Sequence, residues 1–229
     1  MVVDLSLKQN NCQKLYLGIL PPKTRRAFLE CQKLPIFSKN KWYLAGGTAL
    51  ALQAGHRQSV DLDFFTPQAN FKELEVERDL LNTGKWQTTY RESGTIYGVY
   101  NEAKMSLIAY PFFKPSKERT RCENISMLLP RDIAVMKIIA ISQRGRKRDF
   151  YDLYWYVKNR EPLSDVVLRA TTQYPGQENN ITHIVKSLAY FDDAEADPTP
   201  KIMFRASWKE VKKFFQAQAK ELALKLVLK

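Results

Sequence analysis

The chain has 229 residues, of which 45% are apolar, so it is long enough to bury the core of one large domain or of two small ones. Its 36 lysines and arginines against 24 acidic residues give a formal net charge of +12, which favours a polyanionic partner such as nucleic acid. No run of about 18 apolar residues occurs, and residues 1–10 lack the pattern of a signal peptide, so the sequence predicts neither a membrane span nor secretion.

The first part of the chain is predicted to alternate helices with short strands. Helical spacing of apolar residues predicts a helix over residues 22–34, and a short apolar run predicts a buried strand over residues 42–45. A second helix is expected over residues 48–54, with Thr48 as a candidate N-cap and Gly55 as the C-terminal stop.

A strand-rich stretch follows. Residues 61–65 are predicted to form a second strand, and a helix is expected over about residues 71–83. Residues 86–111 are rich in aromatic and β-branched side chains and predict a meander of short strands. Gly94 and the pair Asn101-Glu102 are the expected turns.

From Pro130 onward the pattern is helical. Apolar stripes predict helices over residues 131–144 and 147–158, with an interruption at Gly145. The remainder is predicted to be helical apart from the acidic and proline-rich residues 192–200.

These elements predict an α+β fold. The strands lie between helices without strict βαβ alternation, which favours a small mixed sheet. We expect a sheet-containing N-terminal domain over residues 1–128 and a helical domain over residues 129–229.

The three cysteines, Cys12, Cys31 and Cys122, are widely spaced. Their spacing fits neither a zinc site nor a disulfide framework. We therefore expect unpaired thiols in a reducing compartment, which predicts a cytoplasmic protein.

Two carboxylates one residue apart, Asp61 and Asp63, are the strongest sign of chemistry. The side-chain period of a strand places both on one face, while Leu62 and Phe64 pack on the other. Two carboxylates this close repel each other unless a cation lies between them, and Mg²⁺ prefers one or two carboxylates together with substrate phosphates. A D-x-D pair also arises by chance or in a solvated turn, so the pair alone identifies no site.

The pair is preceded by Gly46-Gly47, between a predicted strand and a predicted helix. Glycines there let backbone N–H groups approach an anion, and the helix N-terminus adds a favourable dipole. The same glycines would also suit a tight turn. A strand, a glycine turn, a helix and a second strand with D-x-D are nevertheless the arrangement that metal-assisted nucleotidyl transfer needs.

Four stretches resemble one protein family. GGTALALQAGHRQSVDLDFF (46–65) closely resembles the first motif of the AbiEii/AbiGii nucleotidyltransferase toxins, members of the DNA polymerase beta-like superfamily. KIIAISQRGRKRDFYDLYWYV (137–157) resembles a later motif of that family, in which a lysine and an arginine precede K/R-D-x-x-D-L. LAYFDDAEADPTPKI (188–202) and WKEVKKFF (208–215) resemble a C-terminal stretch of the same relatives.

The resemblance implies a role for the first motif. Gly46, Gly47 and Thr48 would hold the phosphates of a nucleotide, and Asp61 and Asp63 would hold Mg²⁺ as the cofactor.

Three further residues precede the metal strand, His56, Arg57 and Ser59. Arg57 would touch phosphate and Ser59 would orient Asp61; alternatively the segment is a polar loop with a capping hydroxyl.

The later motif implies that Lys137 contacts the triphosphate and offsets its charge in the transition state. Asp149 would position the acceptor or the metal, with Asp152 one helical turn away. The alternatives are a surface lysine and an acidic pair bound by neighbouring arginines, namely Arg144, Arg146 or Arg148.

One departure from the superfamily pattern is visible. Superfamily members often carry a third carboxylate on a later strand, whereas the candidate strand AKMSLIAYP has none. Ser106 aligns near that position, and Glu102 lies at the entrance of the strand.

The resemblance implies transfer of an NMP from an NTP to an acceptor hydroxyl by the toxin of a bacterial toxin–antitoxin or phage-abortive-infection system, with a partner antitoxin. Residues 114–148 hold ten Lys and Arg against three acidic residues, which favours RNA, and tRNA in particular, as the acceptor. Two alternatives stay open: transfer to a protein side chain, or a catalytically inactive nucleic-acid-binding or interaction protein on the same fold.

Overall fold

The computed structural model describes residues 15–39, 41–176 and 180–227. A 3-10 helix, Leu17–Ile19, precedes the first helix. The strands of these residues are β1 Tyr43–Leu44, β2 Leu62–Thr66, β3 Trp86–Glu92, β4 Thr95–Tyr100, β5 Ala103–Ala109, β6 Arg119–Cys122 and β7 Ile125–Leu128. The helices are α1 Pro22–Cys31, α2 Ile36–Lys39, α3 Gly46–Ala54, α4 Glu73–Leu81, α5 Pro130–Arg144, α6 Lys147–Asn159, α7 Leu163–Gln173, α8 Ile181–Ser187, α9 Asp192–Glu195 and α10 Trp208–Val227.

The seven strands form one mixed sheet in the order β3-β4-β5-β2-β1-β7-β6. β2 pairs in parallel with β5, and β1 pairs in parallel with β7, whereas the other neighbours are antiparallel. Helices dominate after β7. The predicted α+β fold with a mixed sheet followed by a helical half is therefore confirmed, although the sequence pattern had not indicated β6 and β7.

Several helices and strands begin or end a few residues away from their predicted bounds. α3 begins at Gly46 with Ala45 as its N-cap, so Thr48 as the N-cap is wrong, because Gly46 takes the left-handed φ of +64° with which the chain enters the helix. Gly55, with a left-handed φ of +66°, does end that helix. β2 begins at Leu62, so that Asp61 lies immediately before the strand.

The buried apolar side chains of the strands and of the later helices form one continuous cluster. Helix α5 lies against α3, α6, α7 and α8 and so connects the two halves. Along β2, Leu62, Phe64 and Thr66 are buried, and Phe64 stacks on Phe37 with ring centroids 4.1 Å apart. Asp63 and Phe65 lie on the opposite, half-exposed face. The division into two domains, residues 1–128 and residues 129–229, stays a prediction.

The cysteines do not all behave as expected. Cys122 is disulfide-bonded, so the expectation that no cysteine forms a disulfide is wrong, since sequence spacing does not reveal which thiols meet in space. Cys31 is a buried free thiol whose pKa is raised by burial. Cys12 lies outside the described residues. So do residues 1–10, whose sequence predicts that there is no signal peptide.

None of the helices in the described residues is long and apolar enough to cross a membrane. The cytoplasmic location stays a prediction.

A close contact inside the sheet gives a stability prediction. A Cβ atom on Gly98 of β4 would lie 2.4 Å from the ring of Trp86 and 2.5 Å from the backbone oxygen of Gln87. Because backbone cannot yield easily, Gly98→Ala should lower the free energy of unfolding by about 1–3 kcal/mol in urea denaturation. Gly18→Ala is the matched control, since nothing lies within 4 Å of its added Cβ. Equal stability of the two variants would contradict the packing described here.

Candidate active site

A cleft of about 680 Å³ lies between one face of the sheet and helices α5 and α6. Eight of the nine residues predicted to form the site line it: Gly46, Gly47, Arg57, Ser59, Asp61, Asp63, Lys137 and Asp149. The ninth, Thr48, is buried behind the glycine turn. The fold thus brings together residues that are separated by up to 103 positions, nearly half of the chain.

The two aspartates of D-x-D lie on the sheet side of the cleft. Asp63 on β2 stands beside Ser106 on β5, and the Ser106 hydroxyl donates a 2.7 Å hydrogen bond to Asp63 Oδ1. Ser106 therefore occupies the neighbouring-strand position that the sequence indicated. Burial is the main cause of a raised pKa at Asp63, and the nearby charge of Asp61 adds to it.

The glycine turn, Gly46-Gly47, lies against the carboxylate of Asp63. A Cβ on Gly46 would sit 3.2 Å from Asp63 Oδ2, so the absence of a side chain leaves the carboxylate oxygen facing the first turn of α3. At Gly47 a Cβ would come within 2.0 Å of the Arg57 guanidinium. Gly47 is therefore required by the close approach of Arg57, whereas Gly46 combines a left-handed φ with a tight contact to Asp63.

Two hydroxyls, those of Thr48 and Ser59, fix the backbone before β2. The Thr48 hydroxyl donates to the backbone oxygen of Asp61 and lies 2.8 Å from the Ser59 hydroxyl. These contacts attach the N-terminus of α3 to the residue that begins D-x-D. A direct contact of Thr48 with phosphate and the orientation of Asp61 by Ser59 stay predictions.

At the wall of the cleft and just behind it lies a group of buried ionisable side chains, here called the buried charge cluster: His56, Arg57, Lys137, Asp149 and Asp152. Asp152 accepts two hydrogen bonds from the Arg57 guanidinium, at 2.5 Å and 2.8 Å, and is 2.7 Å from His56 Nε2. Lys137 Nζ is 2.5 Å from Asp149 and 2.8 Å from Asp152.

Opposite charges stabilise the charged forms of Asp152 and Lys137. Burial alone would raise the pKa of Asp152, but Arg57 and Lys137 hold it well below its usual range. Burial alone would lower the pKa of Lys137, but Asp149 and Asp152 raise it above its ordinary value. A buried charge is stable only where opposite charges and hydrogen bonds surround it, which is the situation of both groups.

The structure differs from the two alternative interpretations of the later motif, a surface lysine and an acidic pair bound by neighbouring arginines. Lys137 is buried and so is not a surface lysine. Lys137 binds the carboxylates of both Asp149 and Asp152, and Arg57, which lies far away in the chain, also binds Asp152; these two residues take the place of the neighbouring arginines. Of those arginines, Arg148 lies 3.6 Å from Asp61 and Arg146 lies 2.8 Å from Asp197.

The C-terminal stretch with family resemblance supports the site from outside. Residues 201–203 bridge to the loop before β2: Gln58 N donates to Lys201 O, and Met203 N donates to His56 O. Nearby, Asp197 accepts a 3.0 Å hydrogen bond from the backbone of Lys147, the first residue of α6. The sequence had suggested only a break in the helices there.

Some contacts could not be inferred from sequence. The sequence indicated Arg148 only as one of three possible partners of the pair Asp149 and Asp152, whereas in the structure it lies 3.6 Å from Asp61. Glu102 was noted at the entrance of β5, but it is exposed and paired with Lys23 at 2.6 Å, away from the cleft.

Within the described residues no group of three or more His, Cys, Asp or Glu side chains is arranged to hold a metal ion. The carboxylates of Asp61 and Asp63 are hard oxygen donors at the rim of one cleft, and Asp63 Oδ2 faces the glycine turn. This donor set fits a cation that completes its coordination with substrate oxygens and water.

The buried charge cluster predicts a pH-dependent cost for losing Asp152. Asp152→Asn should lower the free energy of unfolding by about 3 kcal/mol or more at pH 7, because it leaves Arg57 and Lys137 with too little negative charge. Asp152 has a lowered pKa, so its contribution is complete above its unfolded pKa of about 3.9 and is lost as the pH falls through the lower folded-state pKa.

Urea unfolding between pH 7 and pH 3 measures the difference in free energy of unfolding between the unmodified protein and Asp152→Asn. It should stay constant down to about pH 4 and shrink below. The exposed Asp79→Asn is the control. A loss at pH 7 no larger than that of the control would show that the cluster does not stabilise the fold.

The sequence is similar to known proteins over most of its length. The profile of the family described as "Nucleotidyl transferase AbiEii toxin, Type IV TA system" matches residues 28–91 and 113–225. Uncharacterized protein aq_aa25 of Aquifex aeolicus (strain VF5) is 34% identical over 184 residues, covering 80% of this chain and 88% of that protein.

Solved structures support the same fold. MenT4, a nucleotidyltransferase toxin from Mycobacterium tuberculosis, is similar with a TM-score of 0.55 at 15% identity, covering 87% of this chain and 84% of that one. JHP933 from Helicobacter pylori gives a TM-score of 0.52 at 17% identity, covering 90% and 94%. The profile matches most of the sequence, and the chain belongs to the AbiEii family of nucleotidyltransferase toxins.

Proposed function

We propose that this chain transfers an NMP from an NTP to a hydroxyl of an RNA acceptor, with tRNA as the leading candidate. The observation that carries the proposal is the shared cleft of D-x-D and the glycine turn, in which Asp63 Oδ2 faces Gly46 at the start of α3. A carboxylate pair beside a helix N-terminus can hold a cation and a polyphosphate at the same place.

The triphosphate would lie at the glycine turn. The backbone N–H groups of Gly46 and Gly47 belong to the first turn of α3, where they have no partner within the helix. Lys137 lines the cleft, and an ammonium has three donors, of which Asp149 and Asp152 take two. The third donor of Lys137 is then available to a phosphate oxygen, and Arg57 adds positive charge behind Gly47.

The cofactor proposed for Asp61 and Asp63 is Mg²⁺. When bound, it would neutralise charge on the phosphates and polarise them toward attack. Ser106 holds Asp63 Oδ1 and leaves Oδ2 toward the glycine turn. Because Ser106 stands where a third carboxylate would otherwise be, this chain brings two acidic groups from the sheet to the site.

The reaction is a displacement at phosphorus. The acceptor hydroxyl oxygen forms a bond to the α-phosphorus, the bond to the bridging oxygen breaks, pyrophosphate leaves, and the hydroxyl proton is released to water. Asp149 Oδ2 is buried and has no hydrogen-bond partner among the described residues. Since Asp149 lines the cleft, we assign it the positioning of the acceptor hydroxyl through this oxygen.

Charge favours RNA over protein as the acceptor. The chain carries a net charge of +12, and Lys104, Arg144 and Arg148 line the cleft. The basic run over residues 114–148 contributes less than its composition indicates, because Lys137 and Lys147 are buried. Family membership supports a role as the toxin of a toxin–antitoxin pair, so we include an antitoxin protein among the partners.

Labelled nucleotide tests the activity directly. The chain is incubated with each α-labelled NTP, Mg²⁺, and either total RNA or a protein extract, and products are separated on gels. We expect label in RNA. Asp61→Asn and Asp63→Asn should abolish transfer while the melting temperature holds or rises, because each removes charge repulsion from the metal-free site.

Asp79→Asn, on the exposed face of α4, should keep full transfer. Normal transfer by folded Asp61→Asn and Asp63→Asn would remove D-x-D from the mechanism. Label in protein would favour the alternative acceptor, and no label with any NTP would favour the inactive binding protein.

The salt dependence of RNA binding tests the acceptor class without a measurement of nucleotidyl transfer. RNA binding by a chain of this charge should act mainly through phosphates, and each contact releases counterions. With about five contacts, affinity should fall more than tenfold between about 50 and 200 mM salt in fluorescence anisotropy. A flat series, or no binding at low salt, would argue against RNA as the acceptor.

A further inference from the structure

Two exposed tyrosines lie side by side on the sheet face that forms the cleft. Tyr90 on β3 is 47% exposed and Tyr97 on β4 is 42% exposed. Their rings are stacked, with centroids 5.8 Å apart and planes inclined by 24°. We call this pair the tyrosine platform; none of the roles assigned above uses it.

An irregularity in β3 creates the pair. Thr88 points to the α4 side, where its hydroxyl contacts Glu77 and the Trp86 indole. In a regular strand Tyr90 would share that face, since side chains alternate with a period of two. A bulge between Thr88 and Tyr90 shifts the register, so that Tyr90 stands opposite Tyr97. Bulges are known to redirect a side chain in this way.

The platform is aligned with the candidate metal site. Tyr97 is the register partner of Ser106, and Ser106 is the register partner of Asp63. Tyr97 is therefore two strands from Asp63, about 10 Å at the usual strand spacing, and Tyr90 is one strand further. A row runs across the sheet from the acidic site to the two rings.

The surroundings of the platform suit a polyanion with flat bases. Lys104, which is exposed on β5, and Thr89 at the bulge line the cleft beside Tyr97, and Arg144 and Arg148 line its helical side. Single-stranded nucleic acids bind to cationic grooves in which aromatic rings stack on the bases. Exposed rings next to cations match this chemistry better than they match an apolar protein partner.

We propose that the tyrosine platform stacks with the unpaired bases at the 3′ end of the acceptor RNA, so that the terminal hydroxyl is directed toward Asp63. Tyr97 takes the base nearest the site and Tyr90 supports it. This inference rests on the proposed function for the identity of the acceptor as RNA. It adds an acceptor-binding surface on β3 and β4, distinct from the glycine turn that would hold the NTP.

The test uses an RNA hairpin with a single-stranded 3′ overhang and the same hairpin with an abasic 3′-terminal residue. Binding is followed by fluorescence anisotropy, and label transfer from the NTP is followed on gels. Tyr97→Ala should weaken binding of the intact hairpin about tenfold, the scale of one lost base–aromatic stack, whereas Tyr97→Phe should bind normally. The KM for the NTP should not change.

The abasic hairpin separates stacking from other effects. Unmodified protein should bind it about tenfold more weakly than the intact hairpin, and Tyr97→Ala should bind the two equally. Tyr190→Ala, which changes a tyrosine that is 52% exposed outside the cleft, should behave as the unmodified protein.

The outcomes distinguish the two proposals. Transfer to RNA with no effect of Tyr97→Ala, or equal binding of both hairpins by the unmodified protein, overturns the platform and leaves the proposed function in place. Tyr97-dependent binding without any transfer supports the platform and counts against the proposed function. Failure to bind either hairpin overturns the platform as well.

Discussion

The cleft depends on one fully buried carboxylate. Asp152 of α6 binds Arg57 and His56 from the loop before β2 and Lys137 from α5, so three separate parts of the chain meet at one group. A buried ion is tolerated only while its partners are in place, because removing one leaves an uncompensated charge in a medium of low polarity. The position of the loop that leads to Asp61 is therefore coupled to the packing of the helical half on the sheet.

The ion pairs of Asp152 also account for residues in other parts of the sequence. The Arg57 guanidinium can reach Asp152 only by passing over Gly47, where any Cβ would occupy its place. Lys137 is drawn to the cleft wall by two carboxylates, which keep it protonated at a site that would otherwise favour the neutral amine. The glycine pair and the acidic motif of α6 are thus parts of one electrostatic unit, although they are far apart in the chain.

Sequence alone predicted the parts of the site whose geometry is local. Spacing indicated that Asp61 and Asp63 would lie on the same side of the sheet and that the glycines would stand at the entry to a helix, and the family resemblance supplied Lys137 and Asp149. The partners of those residues could not be predicted, because nothing in the spacing shows that Arg57 would meet Asp152. The fold class was predictable from periodicity. In contrast, β6 and β7 have only four residues each, which is too short for a clear pattern. A bulge such as that before Tyr90 changes the face on which a side chain lies without any change in composition.

The bridge between residues 201–203 and the loop before β2 also bears on how the protein is made. All strands of the sheet precede α5, so the ribosome releases them early, but the loop that carries His56 and Arg57 gains this support only when the chain has been extended almost to α10. At the usual rate of about 5–20 residues per second, several seconds separate the two events. A chain that ends before residue 201 contains every described strand but lacks this bridge, so the loop before β2 gains its full set of contacts only after residues 201–203 have been made.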